Sequence, residues 1–290
     1  MATIPRNLLL ASYLLLVAGC ARWNKNVFEP NELLPAARLS PDSVVLEIAV
    51  ARAETDVEQL EDTLWHEVDE LHLPNDARRR LAANGIRCGL VGSQLPEQLR
   101  RILEADEAEF KEGIEALARR NNAGTWRERQ QTRAGKRYKI VTTPVRDRID
   151  VITKGEDGNV RGRTCRQAHC EFAMRSNPLG NGSVRLQLTP EVHHGAPQQR
   201  IVGDNHNFII ETKQTEVAFD QLLIECVLAP GETLVLSCTS EFSGLGRHFF
   251  VEPDVSDPKP KIVLIRLAQS QFDDLFAADQ ILKPIATQDE

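Results

Sequence analysis

From residue 137 onward the chain is patterned in a single way. Runs rich in β-branched and apolar residues lie at 138–143, 148–154, 159–175, 183–191, 207–229, 233–239 and 261–268, with no helical period between them. Turn signals separate the runs: Gly155-Glu156-Asp157-Gly158, Asn177-Pro178 with Asn181-Gly182, and Pro230-Gly231. Many strands at this spacing predict an antiparallel β-rich domain over 137–290, with a short helix near 270–278 to close it. Ala229-Pro230-Gly231-Glu232 suits a type II turn, because proline presets the first central residue and glycine takes the positive φ of the second. In a hairpin counted outward from that turn, Cys226 stands opposite Val235 and Cys238 opposite Leu223. The two thiols then point to opposite faces, and no disulfide joins them.

The first half has a different pattern. Residues 43–51 alternate as a strand. Thr55 and Glu58 then make a capping box, and Val57, Leu60, Leu64, Val68 and Leu71 form an apolar stripe at helical spacing. Leu73-Pro74 stops that helix, and a second over 76–84 ends in Asn84-Gly85, a left-handed cap. A strand at 86–91 and a long acidic helical stretch from Leu95 to about Arg120 complete a β-α-α-β-α order. The expected fold class is α+β: a small α+β domain at 42–120, a linker at 121–136 and the β-rich domain after it.

The amino terminus carries an address. Arg6 precedes an apolar run from Leu8 to Val17, and small Ala18 and Gly19 stand before Cys20. A membrane-spanning helix needs roughly 20 apolar residues, more than this run supplies. Val17-Ala18-Gly19-Cys20 resembles the lipobox of bacterial lipoproteins. The resemblance implies a signal peptide at 1–19 and a mature chain that begins at Cys20, carrying fatty-acyl chains of the palmitate kind. It also implies, in a host with two membranes, an outer-membrane anchor facing the periplasm, because Ala21 is not the Asp that marks inner-membrane retention. Residues 20–41, with Pro30, Pro35 and Pro41, read as a tether reaching on the order of 60 Å.

A second resemblance lies in the β-rich half. Ser183-Val-Arg-Leu-Gln-Leu-Thr-Pro-Glu191, Leu228-Ala-Pro-Gly-Glu-Thr-Leu-Val-Leu236, Gly244-Leu-Gly-Arg-His-Phe-Phe250 and Ile262-Val-Leu-Ile-Arg-Leu267 follow an order similar to the β-domain of bacterial secretins. The resemblance implies a secretin-like β domain with a role linked to secretion. The chain departs from the family in carrying one α+β unit instead of several repeated N-domains, and in having no amphipathic lip.

Charge narrows the partners. With 35 basic and 42 acidic side chains the net charge is −7, which argues against nucleic acid. Within the acidic whole, residues 127–148 hold a basic block, with Glu128 and Asp147 as its acidic members. The sparse cysteines are not a disulfide framework of the small secreted kind. Cys165, His169 and Cys170 offer zinc-type ligands, but residues five apart on a strand face opposite ways. His193, His194, Asp204 and His206 converge only if 195–203 form a loop that brings its ends together; that cluster is the metal candidate, and a periplasmic metal-dependent hydrolase is the alternative function it supports. No phosphate loop, G-x-S-x-G elbow or dinucleotide fingerprint is present. The expectation is therefore a non-enzymatic protein without cofactor, whose partners are the membrane through lipid at Cys20 and an envelope protein or a second copy of itself.

Overall fold

A computed structural model describes residues 42–53, 57–104, 126–204, 207–251 and 259–272. Its first sheet is built from both ends of the chain. Strand β1 (Ser43–Arg52) lies between β3 (Trp126–Arg133) and β11 (Lys261–Gln271); β10 (Thr233–Cys238) pairs with β11 and with β2 (Ile86–Val91). The order is β2-β10-β11-β1-β3, all antiparallel. Side chains alternate faces along a strand. On β1, Val44, Leu46, Ile48 and Val50 enter the large core, while Ala49 joins a smaller core under helix α1 (Val57–Thr63) with Leu60, Leu64, Trp65, Val235 and Leu264. This sheet is covered on both faces, which is why its strands read as nearly continuous apolar runs.

The second sheet consists of β4 (Arg137–Val141), β6 (Val160–Pro178), β7 (Val184–Asp204) and β8 (Asn207–Ala218), with β5 (Arg146–Lys154) on β6 and β9 (Ile224–Leu228) on β7. Cys170, Phe172 and Met174 of β6 and Leu186, Leu188 and Val192 of β7 enter the large core. There they meet the inner face of the first sheet and helix α4 (Gly244–Phe250), with Phe172 and Phe249 ring centroids 4.8 Å apart. Helices α2 (Asn75–Ala83) and α3 (Glu97–Glu104) complete the described α-helices.

Several expectations change. Residues 121–136 are not a plain linker, since β3 forms within them and pairs along β1 from Ser43↔Arg133 to Val50↔Trp126. The units 42–120 and 137–290 do not build separate sheets, since β1 and β2 are hydrogen-bonded to β11 and β10. The stripe from Val57 to Leu71 is not one helix. After Thr63 the chain tightens into a 3₁₀ turn at Trp65–Glu67, Val68 turns extended, and Asp69 exchanges both backbone hydrogen bonds with Leu90 of β2, leaving Leu71 76% exposed. Gly231 does adopt positive φ and Glu232 N–H bonds to Ala229 C=O, but β9 and β10 belong to different sheets, so the turn carries the chain between sheets instead of closing a hairpin. Cys226 and Cys238 are thus never in register; each is a buried free thiol. The expected terminal helix begins in residues that are the end of β11, and its remainder, the Thr55 capping box and the stretch beyond Glu104 lie outside the described residues.

Candidate functional site

The β6–β7 ladder sets Glu171 directly opposite Glu191 and His169 directly opposite His193. Positions two apart on a strand share a face, so these four side chains form a square on the face turned away from the large core. The square is buried all the same: Glu171 is 1% exposed, His193 3% and Glu191 5%. Nε2 of His193 lies 2.9 Å from Oε1 of Glu171 and 2.9 Å from Oε2 of Glu191. His169 stacks on His193 with centroids 5.4 Å apart, and its Nε2 is 3.4 Å from Oε2 of Glu171.

Cations come from β4 and β8. The Arg137 guanidinium donates to Glu191 and lies 3.8 Å from Glu171 and 3.6 Å from Glu216; Lys139 Nζ is 3.4 Å from Glu171, and Lys213 Nζ is 3.4 Å from Glu216. Burial works against the Glu171 carboxylate, but His169 and His193 outweigh it and hold its pKa far below the usual range. Burial likewise works against the His193 imidazolium, but Glu171 and Glu191 outweigh it and raise its pKa. The outcome is a paired, charge-compensated network, the form in which buried charge is tolerated. Arg137, Glu191 and Glu216 also line a pocket of about 350 Å³.

The sequence candidates fall elsewhere, except one. Residues 195–203 are not a loop but the outer part of β7, paired with β8 from Gln198↔Lys213 to Asp204↔Asn207. At about 3.3 Å per residue, Asp204 stands on the order of 30 Å along the strand from His193, so the two do not converge. His194 faces the opposite side of β7 from His193. His206 and Cys20 lie outside the described residues. Glu171, Glu191 and the role of His169 were missed. The signal for them was the pair of spacings His169-x-Glu171 and Glu191-x-His193, mirrored about the turn at 180–182.

Compared with models of protein families, with curated proteins and with solved structures, the chain has no match.

Proposed function

We propose that this is a lipid-anchored cell-envelope protein, held to a membrane through Cys20, whose β-rich body is secretin-like and acts by binding or scaffolding and not by catalysis. The observation that carries the reading is the ribbon formed by the outer halves of β7 and β8. Among the described residues β6 follows β7 only to His193 and β9 only from Val184 to Leu188, so from Gln198 to Asp204 β7 pairs with β8 alone. A two-stranded ribbon is marginal in water by itself, and its edges present unpaired backbone groups that another strand can extend. Such an edge suits β-augmentation by a partner or by a neighbouring copy. The order of the late motifs also supports the secretin likeness. Thr189-Pro190-Glu191 lies where β7 meets β6, Pro230-Gly231-Glu232 links two strands, and β11 is a late apolar strand.

Two measurements on the detergent-extracted protein test this. Cys20→Ser is expected to lose labelled fatty acid and to leave the membrane fraction, since stable anchoring takes more than one acyl chain. Sedimentation is expected to find an assembly of several copies that is lost when residues 198–211 are replaced by a two-residue turn. A wild-type monomer without a strand-pairing partner sinks the scaffolding reading, and a Cys20→Ser protein that keeps label and membrane sinks the anchor.

A further inference from the structure

We propose that Glu171, Glu191 and His193 bind a divalent transition-metal ion of the zinc class. Their donor atoms all lie within 4.8 Å of one another, and they are the one such buried group among the described residues. The argument starts from a count of hydrogens. An imidazole Nε2 carries at most one, yet His193 Nε2 is 2.9 Å from two carboxylate oxygens on two different strands. Its bond goes to Glu191, while Oε1 of Glu171, on a side chain only 2% exposed, receives no aligned hydrogen bond, its nearest cations being Lys139 Nζ at 3.4 Å and the Arg137 guanidinium at 3.8 Å. A single metal cation at the point of convergence, taking the place of the Nε2 proton, which is released to solvent, serves all three atoms at once.

The spacing fits. Tetrahedral ligands about 2.1 Å from zinc stand roughly 3.4 Å from one another, so the three donors need side-chain adjustments of an ångström or less and no movement of the ladder. Imidazole with two carboxylates suits zinc and its first-row neighbours; calcium takes six to eight oxygens, more than this group offers. The neighbouring side chains take the part of an outer shell. Arg137 holds Glu191 and His169 holds Glu171 Oε2, each fixing a carboxylate so that another of its lone pairs can face the ion. The site has three protein ligands, one of which, Glu191, also lines the pocket it shares with Arg137 and Glu216.

The test uses the full chain in detergent, stripped with chelator and dialysed against zinc, with metal counted by mass spectrometry. About one equivalent is expected in the wild type, and Glu171→Gln or His193→Gln should weaken binding by at least about tenfold. His194→Gln, on the opposite face of β7, should leave binding unchanged. X-ray absorption on the wild-type zinc protein reads the ligands without any variant having to fold: nitrogen and oxygen neighbours at about 2.0–2.2 Å and no sulfur. Substoichiometric zinc in the wild type, a sulfur ligand, or folded Glu171→Gln and His193→Gln proteins that bind as before would each overturn the proposal.

Discussion

Gly246 is the position at which a single methyl group should do most damage. Helix α4 approaches the corner between α2 and β2 so closely that a Cβ on Gly246 would stand 1.9 Å from the Gly85 carbonyl oxygen, 2.3 Å from its carbon and 3.0 Å from Ile86 N. The same contact is held by Gly246 N–H donating to Asn84 C=O at 2.8 Å. All the obstructing atoms are backbone, so no side chain can swing aside. Gly246→Ala gains about 1 kcal/mol from helix propensity. Against this stand about 1–3 kcal/mol for forcing the helix outward and about 1 kcal/mol for the lost hydrogen bond. The displacement also loosens Leu245, Phe249 and Phe250, each fully buried. The net expectation is a loss of about 2 kcal/mol, or roughly 4–8 °C in thermal midpoint for a domain of this size. Gly162→Ala on β6 is the control, because its Cβ would meet nothing within 4 Å. It should change the midpoint little. Thermal unfolding followed by circular dichroism decides the matter, and a Gly246→Ala protein as stable as wild type would refute the close approach of α4.

Leu64→Ala should cost about 2–5 kcal/mol in denaturant unfolding, and Leu71→Ala under about 0.5 kcal/mol, because Leu64 is fully buried whereas Leu71 is 76% exposed; equal effects would restore the single long helix. Burial pushes the thiols of Cys170 and Cys226 up to about 12 and that of Cys238 to about 11, and the five described cysteines are buried and free. An aromatic disulfide reagent should therefore leave these five thiols unreacted in the native protein and reach them only after denaturation; their rapid reaction in the native protein would contradict the packing. Burial also lowers the His248 pKa below 6.5, so between the folded and unfolded values the unfolded chain binds more protons. Its contribution to stability is complete above 6.5 and lost as the pH falls through the folded value, so His248→Gln should flatten the stability profile just below pH 6.5. An unchanged slope would remove His248 from the account.

Much of the strand inventory was legible because it depends on local pattern. The apolar runs at β1, β10 and β11 and the Asn84-Gly85 stop, where Gly85 takes φ +77°, needed no distant partner to be recognised. What failed depends on such partners. Val68 leaves the helical path because Asp69 finds Leu90, and nothing in residues 57–71 announces that bond. Strand β3, Trp-Arg-Glu-Arg-Gln-Gln-Thr-Arg, buries only Trp126 and Thr132, so it carries no alternating apolar signal and exists because β1 offers it an edge. The shared first sheet pairs Ser43 with Gln271, a relation between positions too far apart for any window of sequence to display.

The candidate site was hidden by one irregularity of the ladder. Gly195, Pro197 and Gly203 read as a loop, and a loop would have released His193 from the strand. In the fold the register between β7 and β8 jumps from His194↔Thr215 to Gln198↔Lys213, with Gly195 at φ +83°. A bulge is where a strand accommodates positive φ and a proline that cannot donate to the ladder. Pro197 lies inside the gap, so its missing N–H costs no ladder bond, and β7 continues for its full 21 residues. Once β7 is continuous through His193, the register counted from the turn at 180–182 fixes His193 against His169 and Glu191 against Glu171. Two carboxylates placed opposite one another at such burial repel unless cations reach both. Arg137 and Lys139 on β4 are those cations in the protein alone, and His193 Nε2 sits between the two carboxylates. The cost of gathering two acids on a buried ladder position is thus met by strands from three parts of the sequence, and the square can form only after β4, β6 and β7 have aligned.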